Sequence, residues 1–262
     1  MNMFLHELWA NRKSTMIWTI SIILISALYM SFYPSFAKDA EEFRRIMAGF
    51  PAPVRDLLGL NLSNLFTILG YYSFTLTFIT LCGAIQAMNL GTSIISKEVR
   101  EKTADFLLTK PVSRTAVITA KLLAALTSLF ITNIVYLVFA MVMAFQVKTD
   151  DFSYSVLIKL SLTVLFIQLI FLALGFLISV IVPKLKSVLP VSLGTVFAFY
   201  FLGMFSDEAS KRFLSPFKYF DYKYIIKHGS YEAAFLITIG VFFIASIMAS
   251  YLIYKKKDIH SV

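Results

Sequence analysis

Six stretches of this 262-residue chain run for 20 residues or more without a charged side chain: 14–37, 57–96, 122–147, 160–183, 187–206 and 233–254. A helix needs roughly 20 apolar residues to cross the hydrocarbon of a bilayer, where nothing else satisfies a bare peptide group. The six runs make up more than half of the chain, which therefore reads as membrane-embedded helix. Only 15% of residues are charged and 58% are apolar, against about 25% charged in an ordinary soluble domain. That composition excludes a water-soluble globular domain, a disordered chain and a nucleic-acid module with an exposed basic face. A single cysteine, Cys82, excludes a disulfide framework and any cysteine-rich metal site.

The 40-residue run holds either two short spans or one span with an apolar lead-in. Asn61, Ser63, Asn64 and the Gly70-Tyr71-Tyr72-Ser73 stretch make its first third a poor lipid-facing helix. One span over about 72–96 is therefore expected, with 57–71 interfacial, re-entrant or joined to that span. The other spans fall at about 15–36, 116–147, 160–182, 187–206 and 233–254. With the N-terminus inside, the cytoplasmic segments carry 13 Lys/Arg against 5 Asp/Glu, and the outer loops carry 11 against 10. The net charge of +9 thus reports orientation, because basic residues collect on the cytoplasmic side. The expected fold is an all-α membrane protein, a single domain over 1–262 with six transmembrane helices and both termini cytoplasmic. The first uncharged run is longer than the core of a cleaved signal peptide and reads as a retained span.

Three flanking segments have their own character. Residues 1–13 are expected to form an in-plane helix, with Phe4, Leu5, Leu8 and Trp9 on one side and His6, Glu7 and Asn11 on the other. In the first outer loop, Phe43, Ile46, Met47 and Phe50 share a face that ends at Pro51 and Pro53. A helix resting on the leaflet and an outer gate both fit it. In the last outer loop, 217–224 interleaves aromatic and basic residues. Beside a span that pattern places Tyr and Lys at headgroup depth and does not call for nucleic acid.

The longest cytoplasmic connection, 97–121, is the most informative. Wound as a helix over 97–109, it sets Glu98, Glu101 and Asp105 in one stripe, with Val99, Thr103, Phe106 and Leu107 opposite. Pro111 ends it, and Ser113 is placed to cap the next helix. A solvated amphipathic loop helix and a docking helix for a cytoplasmic partner both fit this pattern.

The stretch Glu98-Val-Arg-Glu-Lys-Thr-Ala-Asp-Phe-Leu-Leu-Thr-Lys-Pro-Val-Ser-Arg-Thr-Ala-Val-Ile-Thr-Ala-Lys121-Leu-Leu resembles the signature of type-2 ABC exporter permeases. Glu98, Phe106, Leu107, Leu108, Pro111, Ser113, Arg114, Lys121 and Leu122 match that pattern. Thr103-Ala104 and Ala120 depart from it where many members carry glycine. Two fragments, 214–221 and 254–259, are similar to what these permeases carry before and after their last span. The resemblance implies a half-transporter: two permease subunits, identical or paralogous, and two copies of an ATP-binding subunit. Segment 97–109 would be the coupling helix, docking that subunit through Glu98, Glu101, Asp105, Phe106, Leu107, Pro111 and Arg114. ATP and Mg would be bound by the partner, with no cofactor in this chain and no enzymatic activity of its own.

The residues agree with that division of labour. No Gly is followed by Lys, so the phosphate-cradling Gly-Lys loop of a nucleotide hydrolase is missing. His6-Glu7 begins a zinc-protease pair, but Ala10 stands where the second ligand belongs. An ion-coupled transporter or channel is the alternative, although such proteins place ionisable groups within their spans. The polar span residues here are Gln86, Asn89, Asn133 and Gln168, readable as interhelical hydrogen bonds or as contacts along a translocation path. A plasma-membrane exporter of a hydrophobic or amphiphilic compound, such as a peptide antibiotic or a lipid, is the expected function.

Overall fold

A computed structural model describes residues 3–39, 67–100, 113–149, 151–182, 187–205 and 212–256, with isolated positions between them; at 97–100, Arg114 and Lys256 only the backbone is described. The described chain is helical: α1 (Met3–Lys38), α2 (Ile68–Arg100), α3 (Arg114–Val147), α4 (Tyr154–Ile181), α5 (Val188–Met204), α6 (Tyr222–His228) and α7 (Ala233–Lys256). Two single-turn 3-10 segments, Arg212–Leu214 and Pro216–Lys218, precede α6. No strand occurs among the described residues.

Five helices, α1 to α4 and α7, are long and apolar enough to cross a membrane. The 17 residues of α5 extend only about 25 Å, short of a roughly 30 Å hydrocarbon layer. Its start is well marked. Ser187 is the N-cap, and Pro190 sits in the first turn, where its missing N–H would have had no helical acceptor.

The in-plane helix expected over 1–13 is not a separate element. Its described residues are the first turns of α1, which runs unbroken to Lys38. No Gly or Pro interrupts the junction, and Thr15 Oγ1 donates to the Asn11 carbonyl across it at 3.0 Å. The sides also differ from expectation: Glu7 turns toward the bundle, while Leu5 and Trp9 are exposed.

Other boundaries move for local reasons. The second helix begins at Ile68, where the Thr67 hydroxyl accepts from Gly70 N at 3.2 Å. The fourth begins at Tyr154 and carries Lys159 within it. At α3 the expected cap is present, with Ser113 Oγ accepting from Ala116 N at 3.2 Å. The outer segment 40–66, apart from isolated positions, and the connection 101–112 lie outside the described residues.

Packing is centred on α2 and α4, which form the most extensive interhelical contact. Small residues make it close: an added Cβ on Gly175 would stand 2.7 Å from Met88 O and 2.9 Å from Thr92 N. In lipid, where apolar surface gains nothing by pairing, such backbone approach and interhelical hydrogen bonds hold helices together. Around this pair, α1, α3 and α7 turn residues such as Ile20, Leu24, Ile134, Val138, Val241 and Ile244 outward. These outward apolar rows match a lipid environment, and the protein is a multi-pass membrane protein.

Candidate functional site

The centre of the bundle holds a polar network drawn from four helices. Gln168 of α4 donates through Nε2 to Gln86 Oε1 of α2 at 3.1 Å, and accepts at Oε1 from Asn133 Nδ2 of α3. Gln86 Nε2 donates to Thr132 Oγ1 at 2.9 Å, and Thr132 lies 2.9 Å from Thr19 Oγ1 of α1. Gln86 and Gln168 are both 0% exposed. Buried amides need partners because desolvation leaves each unpaired group costly. Here the amides supply them to one another.

Three of the four polar span residues singled out from the sequence therefore meet in space. Asn89, half-buried on α2, takes no part in the network. Thr19 and Thr132 join it and carried no sequence signal, because a span threonine more often bonds its own helix. Both also do that, to Thr15 O and Ser128 O.

Nearer the far end of the bundle, Tyr72 of α2 bonds Tyr136 of α3 and Ser161 of α4. The phenol of Tyr222, from α6, reaches in between Thr80 and Thr163. Desolvation pushes that phenol up to about 12, against the pull of those two hydroxyls. Asp221 caps α6 by accepting from Lys223 N at 2.9 Å, and Gly229 closes it at φ 61°, a left-handed conformation that suits glycine.

The remainder of this end is tied by side chains to the spans. Arg212 pairs through both terminal nitrogens with Glu232 and lies over Phe235, 4.4 Å from its ring centroid. Ser215 Oγ donates to Phe199 O of α5 at 2.7 Å, and Tyr231 OH to Lys159 O of α4 at 2.7 Å. The aromatic and basic residues of 217–224 are thus part of a folded cap on α2, α4 and α5.

The opposite end frames the connection 101–112. Glu7 of α1 pairs with Lys121 of α3 at 3.2 Å, the lysine side chain being 5% exposed. Thr119 of α3 lies 2.7 Å from Tyr251 OH of α7. The start of α1, the start of α3 and the end of α7 are therefore at one end, with the last turns of α2 beside them: Ser93 and Ile94 line the same small recess as Glu7 and Lys121. Of the expected docking residues, Glu98 lies in the last turn of α2 and Arg114 in the first of α3, each with its side chain outside what is described. Glu101, Asp105, Phe106, Leu107 and Pro111 lie outside the described residues altogether. No group of three or more metal-ligating side chains occurs among the described residues.

Comparison with curated proteins and with solved structures gives no match. The family described as ABC-2 family transporter protein matches residues 1–259, nearly the whole chain. Taken with its bundle of long apolar helices, that match makes this chain a member of the ABC-2 transporter family, whose proteins are the membrane-spanning permease subunits of ATP-driven transporters.

Proposed function

We propose that this chain forms half of an exporter's translocation path and takes its driving force from a separate ATP-binding subunit docked at 97–109. One observation supports the reading above all. The twelve residues 101–112 and the cap Ser113 join two uninterrupted helices, α2 of 33 residues and α3 of 34. Each extends about 50 Å, well beyond the hydrocarbon layer, and each contributes to the central hydrogen-bond network. Displacement of the connection is then carried into the bundle along rigid elements. ATP binding would close the paired ATP-binding subunits, and the docked segment would tilt α2 and α3. The nucleotide acts only through its different affinity for the two states of the assembly.

In this reading α5, too short to cross by itself, supplies the helical part of a sixth crossing. It runs from the end shared with the connection toward the cap that holds its far end at Phe199. Both termini then face the cytoplasm of the plasma membrane, as the basic bias requires. Two permease copies, or this chain and a paralogue, pair with two ATP-binding subunits carrying ATP and Mg. The polar groups of the core pair with each other, which favours a hydrophobic or amphiphilic cargo such as a peptide antibiotic or lipid.

The test is a triple charge reversal at Glu98, Glu101 and Asp105 to Lys. Co-purification with the ATP-binding subunit and cargo-stimulated ATP turnover are expected to fall together, with the permease still correctly inserted. Retention of both would refute the docking assignment.

A further inference from the structure

The first four helices are tied together in two different ways. α1 and α3 run parallel and in step. Glu7 meets Lys121 at one end, Thr19 meets Thr132 in the middle, and Tyr33 meets Thr149, just past α3, at the other. These partners lie 114, 113 and 116 residues apart, so the two helices hold one register along their length. α2 and α4 are parallel as well: Tyr72 meets Ser161, Gly83 meets Val164 and Gly91 meets Leu172, in ascending order. At Gly91 and Gly175 their main chains touch, and close-packed backbone leaves no slack for one to slip on the other.

The boundary between the two pairs is built otherwise. α1 and α3 carry no glycine, and Gly83, Gly91 and Gly175 face only helices of their own pair. In the core the hydrogen bonds that cross are side chain to side chain: Gln86 to Thr132, Asn133 to Gln168 and Tyr72 to Tyr136. Toward the far end, the Tyr71 phenol donates to the Tyr29 carbonyl, and the Tyr29 ring stacks on Phe78. Five of the six core residues also have a partner inside their own pair. Thr132 bonds Ser128 O and Thr19, Asn133 bonds Leu129 O, Tyr72 bonds Ser161, and Gln86 and Gln168 bond each other. Losing one of two hydrogen bonds costs less than leaving a buried polar group bare. The boundary is therefore the place where this bundle yields most cheaply. The connection 101–112 leads from α2 of one pair to α3 of the other, so displacing it acts across that boundary.

We propose that α1/α3 and α2/α4 are two rigid bodies that slide past each other, and that this sliding carries motion of the connection to the far end of the bundle. Only the trigger rests on the docking of an ATP-binding subunit proposed above. α1 has no link to the connection and travels with α3 through its three ties. The cap over 212–232 travels with α4, to which Tyr231 and Lys159 bind it.

Four spin-label distances test the division, measured by double electron–electron resonance in full-length protein in lipid nanodiscs with Cys82→Ala. Labels at 9 and 145 span α1/α3, and labels at 77 and 181 span α2/α4. Labels at 9 and 77, and at 145 and 181, cross the boundary. Trp9, Phe145 and Ile181 are exposed and Thr77 is half-exposed, so the labels displace no core side chain. In the permease alone, the two crossing distributions are expected to be broader than the two within-pair ones. Tyr136→Phe with Asn133→Leu is expected to broaden the crossing distributions further and leave the others unchanged. In the complex, replacing ADP by ATP is expected to shift the crossing means by about 1–2 Å, the scale of one packed helix moving on another, with the within-pair means fixed. Equal breadth of all four in the permease alone overturns the proposal. So does a within-pair shift as large as the crossing shift, or ATP turnover with all four means unmoved. Failure of the ATP-binding subunit to bind refutes the docking and leaves the partner-free breadths to decide the sliding. Those breadths need no variant in the core, so a misfolded double variant leaves the proposal open to refutation.

Discussion

Gly91 of α2 and Gly175 of α4 meet backbone to backbone: a Cβ on Gly91 would stand 3.1 Å from Gly175 Cα and overlap the Leu172 carbonyl oxygen. Gly83, two turns earlier on α2, faces side chains of α4 instead, its added Cβ falling 3.1 Å from Gln168 Nε2. The glycine seam and the polar network are therefore one structure. The missing side chain at 83 leaves room for the Gln168 amide beside Gln86, and the close approach at 91 sets α2 against α4 farther along the same pair of helices.

Gly91→Ala is expected to destabilise the protein by about 1–3 kcal/mol, the usual cost of overpacking a close contact. Because the clash is with main-chain atoms, no side chain can swing away to relieve it. Gly240→Ala on α7 meets nothing within 4 Å and serves as the control. It is expected to be neutral or to stabilise by up to about 1 kcal/mol through helix propensity. Thermal midpoints of the detergent-solubilised protein, read as the surviving monodisperse fraction, separate the two.

Gln168→Leu removes the acceptor of Asn133 Nδ2 and the donor to Gln86 Oε1 at once. A loss of about 1–2 kcal/mol is expected, in the range for buried groups left without partners. Gln86→Leu together with Gln168→Leu should cost less than the sum of the two, with a coupling of about 0.6–1.7 kcal/mol as in other membrane helices. If instead both single variants keep full stability and lose transport, the amides serve the cargo and not the bundle.

Much of this arrangement could be read from the sequence, and the rest fails for identifiable reasons. A run without charges locates a span because a charge in hydrocarbon is expensive, but it places the helix end at the charge itself. Lys159 shows the error: its ammonium bonds the Gly229 carbonyl, so α4 continues past it toward Tyr154. Thr67 is a cap with no distinguishing neighbour pattern, which is why α2 starts earlier than expected. Gln86, Asn133 and Gln168 stand out because amides are rare in spans, whereas Thr19 and Thr132 need the helix neighbours to be known first. The compact cap over 212–232 is carried by contacts between distant positions, such as Arg212 with Glu232, and no periodicity announces those.

The cap also responds to alkaline pH in a calculable direction. Burial pushes the phenols of Tyr222 and Tyr231 up to about 12, above the ordinary value near 10. Because folding disfavours the phenolates, the folded state binds more protons than the unfolded one between these values. Their contribution is complete below about pH 10 and is lost as pH rises toward about 12. Titration by tyrosinate absorbance is expected to show a late-ionising group of tyrosines, reduced in Tyr231→Phe and in Tyr222→Phe. Ionisation of all exposed and buried tyrosines in one step near pH 10 would contradict it.

The Glu7–Lys121 pair joins the start of α1 to the start of α3, with side chains only 16% and 5% exposed. An ion pair so screened from water repays its desolvation only while both members are present. Glu7→Gln and Lys121→Gln are each expected to destabilise the protein, and the double variant less than their sum. The expected coupling is about 1–3 kcal/mol, the upper range for residues in direct contact. The location gives the cycle a second readout. Lys121 stands nine residues after position 112, where the connection proposed to receive the ATP-binding subunit ends, so loosening the pair lets α3 move without carrying α1. Hydrogen exchange is then expected to speed up over the first turns of α1. Cargo-stimulated ATP turnover should fall in both single variants while docking of the ATP-binding subunit is kept. Faster exchange with unchanged turnover would make the pair a staple of the fold alone, with no part in transmitting the motion of the connection to the first helix.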